Sequence, residues 1–216
     1  MKLVALSVGG PREVEWRGEM VRTSIFKQQV DGPRHVSLTN IDGDTQSDLT
    51  VHGGVWKAVY AYPSEHYPFW RDELGAPALS WGDFGENLTT DGLLEPDACV
   101  GDRYRIGTAE FAVSQPRLPC FKLGIRLGRP DIVKRFEHSG RSGFYLSVIR
   151  EGQLQASDRV ERISRDERRL SIAALLRLLN DHDRDAGMLE VAASHPSLSA
   201  SWRDRFRSLA EKSGHG

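Results

Sequence analysis

The sequence predicts a mainly β protein with α elements: a β-barrel over residues 1–163 followed by a small three-helix subdomain over residues 164–216. Three observations carry this expectation. Up to about Arg162, short apolar stretches alternate with turn residues, which is how strands read. Beyond the Arg-rich connector containing Arg159, Arg162, Arg165, Arg168 and Arg169, the apolar spacing changes to a helical period. The chain has 216 residues, 39% of them hydrophobic and 27% charged, enough to bury an ordinary core and unlike disorder or collagen.

Taken in order, strands are expected over 2–8, 57–62, 103–106, 110–113 and 144–149. Tight turns between them come from Asp42-Gly43-Asp44, Asp91-Gly92 and Gly101-Asp102, because Gly tolerates positive φ and Asp bonds its own backbone. Two helices interrupt the strands. One covers 64–74, with Ser64 as cap and Tyr67, Trp70 and Leu74 at helical spacing; the other covers 130–137, with Pro130 in its first turn. In the tail, Ser171 caps a helix carrying Ile172, Leu175, Leu176 and Leu179, and Asp185 caps a second through Met188, Leu189 and Val191. A third starts at Ser201-Trp202-Arg203-Asp204 and places Trp202, Phe206 and Leu209 on one face. Three helices this short are marginal alone, so they are expected to pack on the barrel or on a second copy of the chain.

Charge and cysteine usage narrow the function classes. Lys and Arg number 29 against 30 Asp and Glu, a formal net charge of −1, which argues against a nucleic-acid binder or an acidic-membrane binder, and against a DNA-binding role for the tail. Two cysteines, Cys99 and Cys120, make neither a disulfide framework nor a four-thiolate zinc site. No secretory leader pattern and no long uncharged apolar run is visible, so the expected location is the cytoplasm.

Four segments use residues that packing does not require. In Val51-His52-Gly53-Gly54-Val55-Trp56-Lys57, the paired glycines can turn N–H groups toward an anion, flanked by His52 and Lys57; a plain hairpin turn also explains them. Gly85 to Gly92 is dense in hydrogen-bonding groups, notably Asn87 and Thr89, although an Asx-type turn into a strand is the simpler reading. In Val113 to Leu123, Pro116 and Pro119 stiffen a loop carrying Gln115, Arg117, Cys120 and Lys122. Cations beside a cysteine favour the thiolate, the form that attacks electrophiles or binds soft metals. Cys120 is therefore the candidate reactive or ligating thiol, with a small buried hydrophobe as the alternative, and Cys99, without a cationic neighbour, reads as structural. Thr23 to Lys27 offers hydroxyls and a cation to an oxyanion, and equally reads as an exposed strand.

Together these segments resemble the MOSC family, domains related to the C-terminal part of molybdenum cofactor sulfurases, and within it the bacterial YiiM-like branch. The resemblance is carried by Gly43-Asp-Thr-Gln46, His52-Gly-Gly54, Lys57-Ala-Val-Tyr60, Tyr62-Pro63 with Glu65-His-Tyr67 and Trp70, Gly85 to Gly92, Gly101-Asp102, Val113-Ser-Gln-Pro-Arg117, Pro119-Cys120 and Lys122-Leu123. It runs the whole chain, the tail resembling the three-helix module of that branch; Trp56 departs from it, standing where a polar residue is expected.

The resemblance implies a β-barrel that binds a pterin-type molybdenum cofactor, with Cys120 as the thiolate ligand of the metal, and reduction of N-hydroxylated compounds such as hydroxylamines to amines. A soft thiolate suits such a metal. The anionic, donor-rich cofactor needs cations and amides around it, for which Lys27, His52, Gly53, Gly54, Lys57, Asn87, Thr89, Gln115, Arg117 and Lys122 are the candidates. His52 is the candidate proton donor, since imidazole titrates near neutrality, with solvent as an equal alternative. The chain carries no flavin, dinucleotide or iron–sulfur motif, so a separate flavin-dependent protein is the expected electron donor. Two other readings remain: Cys120 as a persulfide sulfur carrier, and a non-enzymatic cofactor carrier. A homodimer contact is the expected role of the tail.

Overall fold

Tyr104 and Ile106 alternate with partly exposed Arg103 and Arg105 along one strand, and this period of two aims one face of the β structure inward. The structure is a computed structural model and describes residues 1–47, 53–181 and 184–213. The strands are β1 (Lys2–Val8), β2 (Arg12–Trp16), β3 (Glu19–Thr23), β4 (Gln28–Gln29), β5 (Arg34–Val36), β6 (Val59–Pro63), β7 (Leu88–Asp91), β8 (Arg103–Ile106), β9 (Ala109–Pro116), β10 (Phe144–Arg150), β11 (Gly152–Leu154) and β12 (Val160–Ser164). Helices α1 (His66–Leu74), α2 (Phe121–Leu127) and α3 (Ile132–Ser139) interrupt them, and α4 (Ile172–Asn180), α5 (Ala186–Ser194) and α6 (Ala200–Ser213) form the tail.

Eight strands make one sheet in the order β12-β8-β9-β10-β6-β7-β1-β4, antiparallel except for the parallel pair β6 and β7. The sheet curls but is not the closed barrel expected from the sequence. β4 pairs with β1 only at Ser7 and Val8, and the start of β1 reaches the other edge through a single bridge between Lys2 and Arg159. Short backbone bonds reinforce that seam, Leu3 N to Asp158 O at 2.9 Å and Ser157 N to Leu3 O at 2.8 Å.

Other departures have local causes. Ser64 does not cap α1 with its hydroxyl, which turns to Glu65 at 3.3 Å, and the helix begins at His66. The expected 57–62 strand gives its first residue to a 3-10 turn at Val55–Lys57. α3 starts two residues beyond Pro130. The tail follows expectation at two caps: Ser171 Oγ accepts from Ala174 N at 3.1 Å and Asp185 Oδ1 from Met188 N at 2.8 Å. Met188 itself is exposed, off the apolar face assigned to it.

Two apolar clusters result. The larger is mainly aliphatic and continuous from the sheet (Leu3, Val59, Val113, Leu146) into the tail (Leu175, Leu189, Phe206). The smaller is aromatic, built from Tyr60, Tyr62, Tyr67, Trp70, Phe84 and Phe136 between α1, α3 and the sheet. Among the described residues no helix is long and apolar enough to cross a membrane.

Candidate functional site

The site begins with a segment pressed against the sheet. Ser24 to Lys27 leave the β2–β3 hairpin and run so close to Gly9 that a Cβ there would stand 3.0 Å from Phe26 O. Gly85, at φ +82°, would meet Ile25 Cγ1 at 2.9 Å with any side chain. Glycine at these points lets the backbone pass and delivers Lys27 into the interior.

Lys27 is buried and pairs there with Asp44, whose side chain is only 2% exposed. The same Asp44 accepts from Gly9 N at 2.8 Å and from Asn87 Nδ2 at 3.0 Å, and Asn87 Oδ1 accepts from Tyr60 N at 3.2 Å. Burial pushes the Lys27 pKa below its ordinary value, against the opposing pull of Asp44. Lys57 reaches the same space from the 3-10 turn, which is held to β9 by Ser114 Oγ, 2.7 Å from Trp56 O. Desolvation lowers the Lys57 pKa as well.

Cys120 stands at the cap position of α2 with extended backbone, half-buried, and its carbonyl accepts from Leu123 N at 2.9 Å. The two prolines predict a loop here; instead Phe121–Leu127 is helix, and Ser114 to Pro116 belong to β9. Arg117 enters from the end of β9 and is 5% exposed. Its guanidinium lies over the Tyr60 ring at 5.3 Å and the Phe136 ring at 5.0 Å, and Nη1 has no hydrogen-bond partner among the described residues. Burial works against its charge, but the pull of Tyr60, Tyr145 and Cys120 outweighs it and raises the Arg117 pKa. Burial raises the pKa of Tyr60 and Tyr145 against the opposing pull of Arg117.

These groups line one cavity. It collects the predicted Lys27, Gly53, Lys57, Asn87, Arg117, Cys120 and Lys122 and adds Asp44, Ser47, Tyr60 and Tyr145, so four cationic side chains face one carboxylate among the described walls. Gly54, Thr89 and Gln115 are outside that lining. Gly54 caps the 3-10 turn, Thr89 donates to buried Glu86 at 2.9 Å, and Gln115 is buried on β9 with its Oε1 unpartnered among the described residues. His52 lies outside the described residues. Nothing in the sequence singles out Tyr145; for Asp44 the available signal is its position in Gly43-Asp-Thr-Gln46.

Glu86 does separate work beneath the cavity. Fully buried, it accepts from the Tyr67 hydroxyl, from Gly82 N at 2.8 Å, from Phe84 N at 3.2 Å and from Thr89. Burial raises its pKa despite those donors. It fixes the turn that aims the next residue, Asn87, at Asp44.

The chemistry of the cavity suits an anionic ligand that also offers a soft metal. Among the described residues, cations outnumber acids, a buried guanidinium nitrogen lacks a partner, and one thiol is present. Among the described residues, no group of three or more His, Cys, Asp and Glu side chains could hold a metal ion unaided, so a metal here needs ligands brought with it. The space within the described walls, about 100 Å³, takes a head group and not a whole pterin, so the fit rests on the donor set.

Comparison with known proteins gives the same family. The MOSC domain model matches residues 48–161, more than half of the chain. The uncharacterized protein YflK of Bacillus subtilis is 40% identical over 205 residues, covering 94% of this chain and 92% of that one. A protein named reductase from Gibberella moniliformis is 34% identical over 182 residues, covering 83% of this chain but 32% of the fungal protein. The crystal structure of YiiM from Geobacillus stearothermophilus superposes with a TM-score of 0.81 at 37% identity, covering 97% of this chain and 98% of that one. The chain belongs to the MOSC domain family, in its YiiM-like branch.

Proposed function

We propose that the protein is a molybdenum-cofactor-dependent reductase of N-hydroxylated compounds, working in the cytoplasm. The observation that carries this reading is the meeting of Cys120 with Lys27, Lys57, Arg117 and Lys122 in one cavity. Membership of the MOSC family and a relative named reductase support it. When bound, a pterin-held molybdenum supplies the two-electron couple for R–NHOH + 2e⁻ + 2H⁺ → R–NH₂ + H₂O.

The chain's own residues have distinct tasks in this reading. Cys120 Sγ is the protein's ligand to the metal, held at the start of α2 so that its orientation is fixed before binding. Lys27, Lys57, Arg117 and Lys122 neutralise the anionic ligand, and Asn87 supplies a directed amide. Asp44 holds Lys27 and Asn87 in register with each other. His52 is the proposed proton donor. Electrons come from a separate flavin-dependent protein, since the sequence carries no motif for a second redox group. The tail is the proposed homodimer contact.

Metal analysis of protein purified from a host that makes the cofactor tests the reading. One molybdenum per chain is expected in the wild type. Cys120→Ala should lose reduction of N-hydroxylated compounds while keeping the wild-type melting profile. Full turnover in that variant would remove the thiolate from the mechanism.

A further inference from the structure

Arg126 stands outside the described walls of the cavity, yet three segments that build those walls meet at its side chain. Its own helix, α2, is capped by Cys120 and also places Lys122 in the wall. Its Nη2 pairs with Asp83, which is buried and accepts from Ser80 N at 2.9 Å, closing the turn that leads through Glu86 to Asn87. The same guanidinium lies over the Phe26 ring at 5.3 Å, and Phe26 precedes Lys27 on the segment pressed against Gly9. One side chain thus joins the segments that deliver Cys120, Asn87 and Lys27.

These contacts are of a kind that fixes position. The ion pair sets one point and the ring contact sets a plane. A guanidinium makes both at once because its flat face and its N–H edge are separate, whereas an ammonium carries the charge without the face. The Arg126 side chain is 26% exposed and that of Asp83 11%, so solvent screens the pair only in part. The β2–β3 hairpin backs the arrangement: a Cβ at Gly124, on α2 between Cys120 and Arg126, would stand 3.5 Å from Trp16 Cζ2. Arg12 of that hairpin also lies over Phe26, at 5.4 Å, but it belongs to β2, which contributes nothing to the described cavity walls.

Resting on the reductase reading for the role of Cys120, we propose that Arg126 is a positioning residue. By gripping Asp83 and Phe26 together, it holds the thiol of Cys120 in register with Lys27 and Asn87 before any ligand arrives. The thiol half and the cation half of the cavity come from elements far apart in the chain, and Arg126 sets the distance between them.

Alkylation of Cys120, which is half-buried and lines the cavity, reports where the thiol sits among the cations. The test compares the rates of iodoacetate, an anion, and iodoacetamide, its neutral counterpart, on protein without cofactor, with the adduct at Cys120 read by peptide mass. Arg126→Lys keeps the charge and loses the flat face; Phe26→Leu keeps Arg126 and loses the ring. Each should lower the iodoacetate-to-iodoacetamide ratio about threefold, and the double variant no further than either alone, because both remove one contact. Arg12→Lys, which alters the other cation on Phe26, should leave the ratio at the wild-type value. An unchanged ratio in folded Arg126→Lys, additive losses in the double variant, or an equal loss in Arg12→Lys would overturn the assignment; Arg126→Lys decides alone if Phe26→Leu does not fold. Turnover keeps the two readings apart. Loss of reduction in Cys120→Ala beside an unchanged ratio in Arg126→Lys sinks the positioning role and spares the reductase. A ratio that depends on Arg126, in protein that reduces no N-hydroxylated compound when metal-loaded and given a two-electron donor, does the reverse.

Discussion

The two apolar clusters differ in composition, and only one of them supports the site. The aliphatic cluster runs from Leu3 and Val113 to Leu175 and Phe206 and joins sheet to tail with side chains that carry almost no polar atoms. The aromatic cluster is threaded with hydrogen bonds: Trp70 Nε1 donates to the Tyr62 hydroxyl at 2.7 Å, the Tyr60 hydroxyl to Ser142 O at 2.7 Å, and the Tyr67 hydroxyl to Glu86. Trp70 stacks on Phe136 with ring centroids 5.5 Å apart, and Phe136 in turn lies under Arg117. Aliphatic packing secures the fold, whereas the aromatic cluster converts packing into fixed directions for polar groups.

Truncation in each cluster should break that symmetry most strongly. Trp70→Ala should cost about 3–5 kcal/mol and Leu175→Ala about 2–5 kcal/mol in denaturant unfolding. The difference lies in the second readout: phosphate affinity, followed by calorimetry, should fall in Trp70→Ala and stay at the wild-type value in folded Leu175→Ala. Equal loss of affinity in both would mean that the clusters are one mechanical unit.

A smaller loss is expected at Glu86. Removing this acceptor leaves Gly82 N, Phe84 N, Thr89 and Tyr67 short of a partner, so Glu86→Ala should cost about 3 kcal/mol. Glu86→Gln keeps one acceptor oxygen and should recover most of it. Because burial raises the Glu86 pKa, native protein binds the proton more tightly than the unfolded chain. Its contribution to stability should therefore fall as pH rises above the ordinary carboxylate range, and Glu86→Gln should remove that slope.

The finest contrast is between the two buried carboxylates. Glu86 faces neutral donors, whereas Asp44 faces Lys27 inside the cavity. Asp44→Asn removes the pull that opposes desolvation, so the Lys27 pKa should drop further below its ordinary 10.5. Affinity for phosphate, as a probe anion, should weaken as pH rises through the folded Lys27 value while the other cavity cations retain part of it, and in Asp44→Asn that weakening should come at lower pH. A pH profile identical to wild type would show that Lys27 does not contribute charge to the ligand. In both proteins the depressed value means that the Lys27 charge costs stability, a cost relieved as pH rises through the folded value toward 10.5.

Local patterns were the legible part of the sequence. Alternation marked β8 and β10, the cap residues Ser171 and Asp185 marked two tail helices, and a cysteine between proline and lysine marked the site. What was missed depends on distant contacts. Nothing near Tyr145 says that β10 sits beside β9 and faces Cys120, and the Asp42 to Asp44 turn gives no hint that Lys27 returns to it. The hairpin β2–β3 was missed because Arg12–Trp16 and Glu19–Thr23 are charge-rich, and α2 because two prolines precede it. The expected closure of the barrel failed at β4, whose two residues are too few to carry a ladder to the far edge.

The cavity draws its walls from stretches as far apart as Thr23 and Tyr145, and no single hairpin contains even half of them. Contacts of such long sequence separation form late, after the loop-closure entropy of the intervening chain has been overcome. Nascent or partly collapsed protein therefore has no receptor for its ligand, and loading waits for the finished tertiary structure. Once loaded, the ligand acts on the folding equilibrium by mass action, stabilising the native state with the logarithm of its free concentration above Kd.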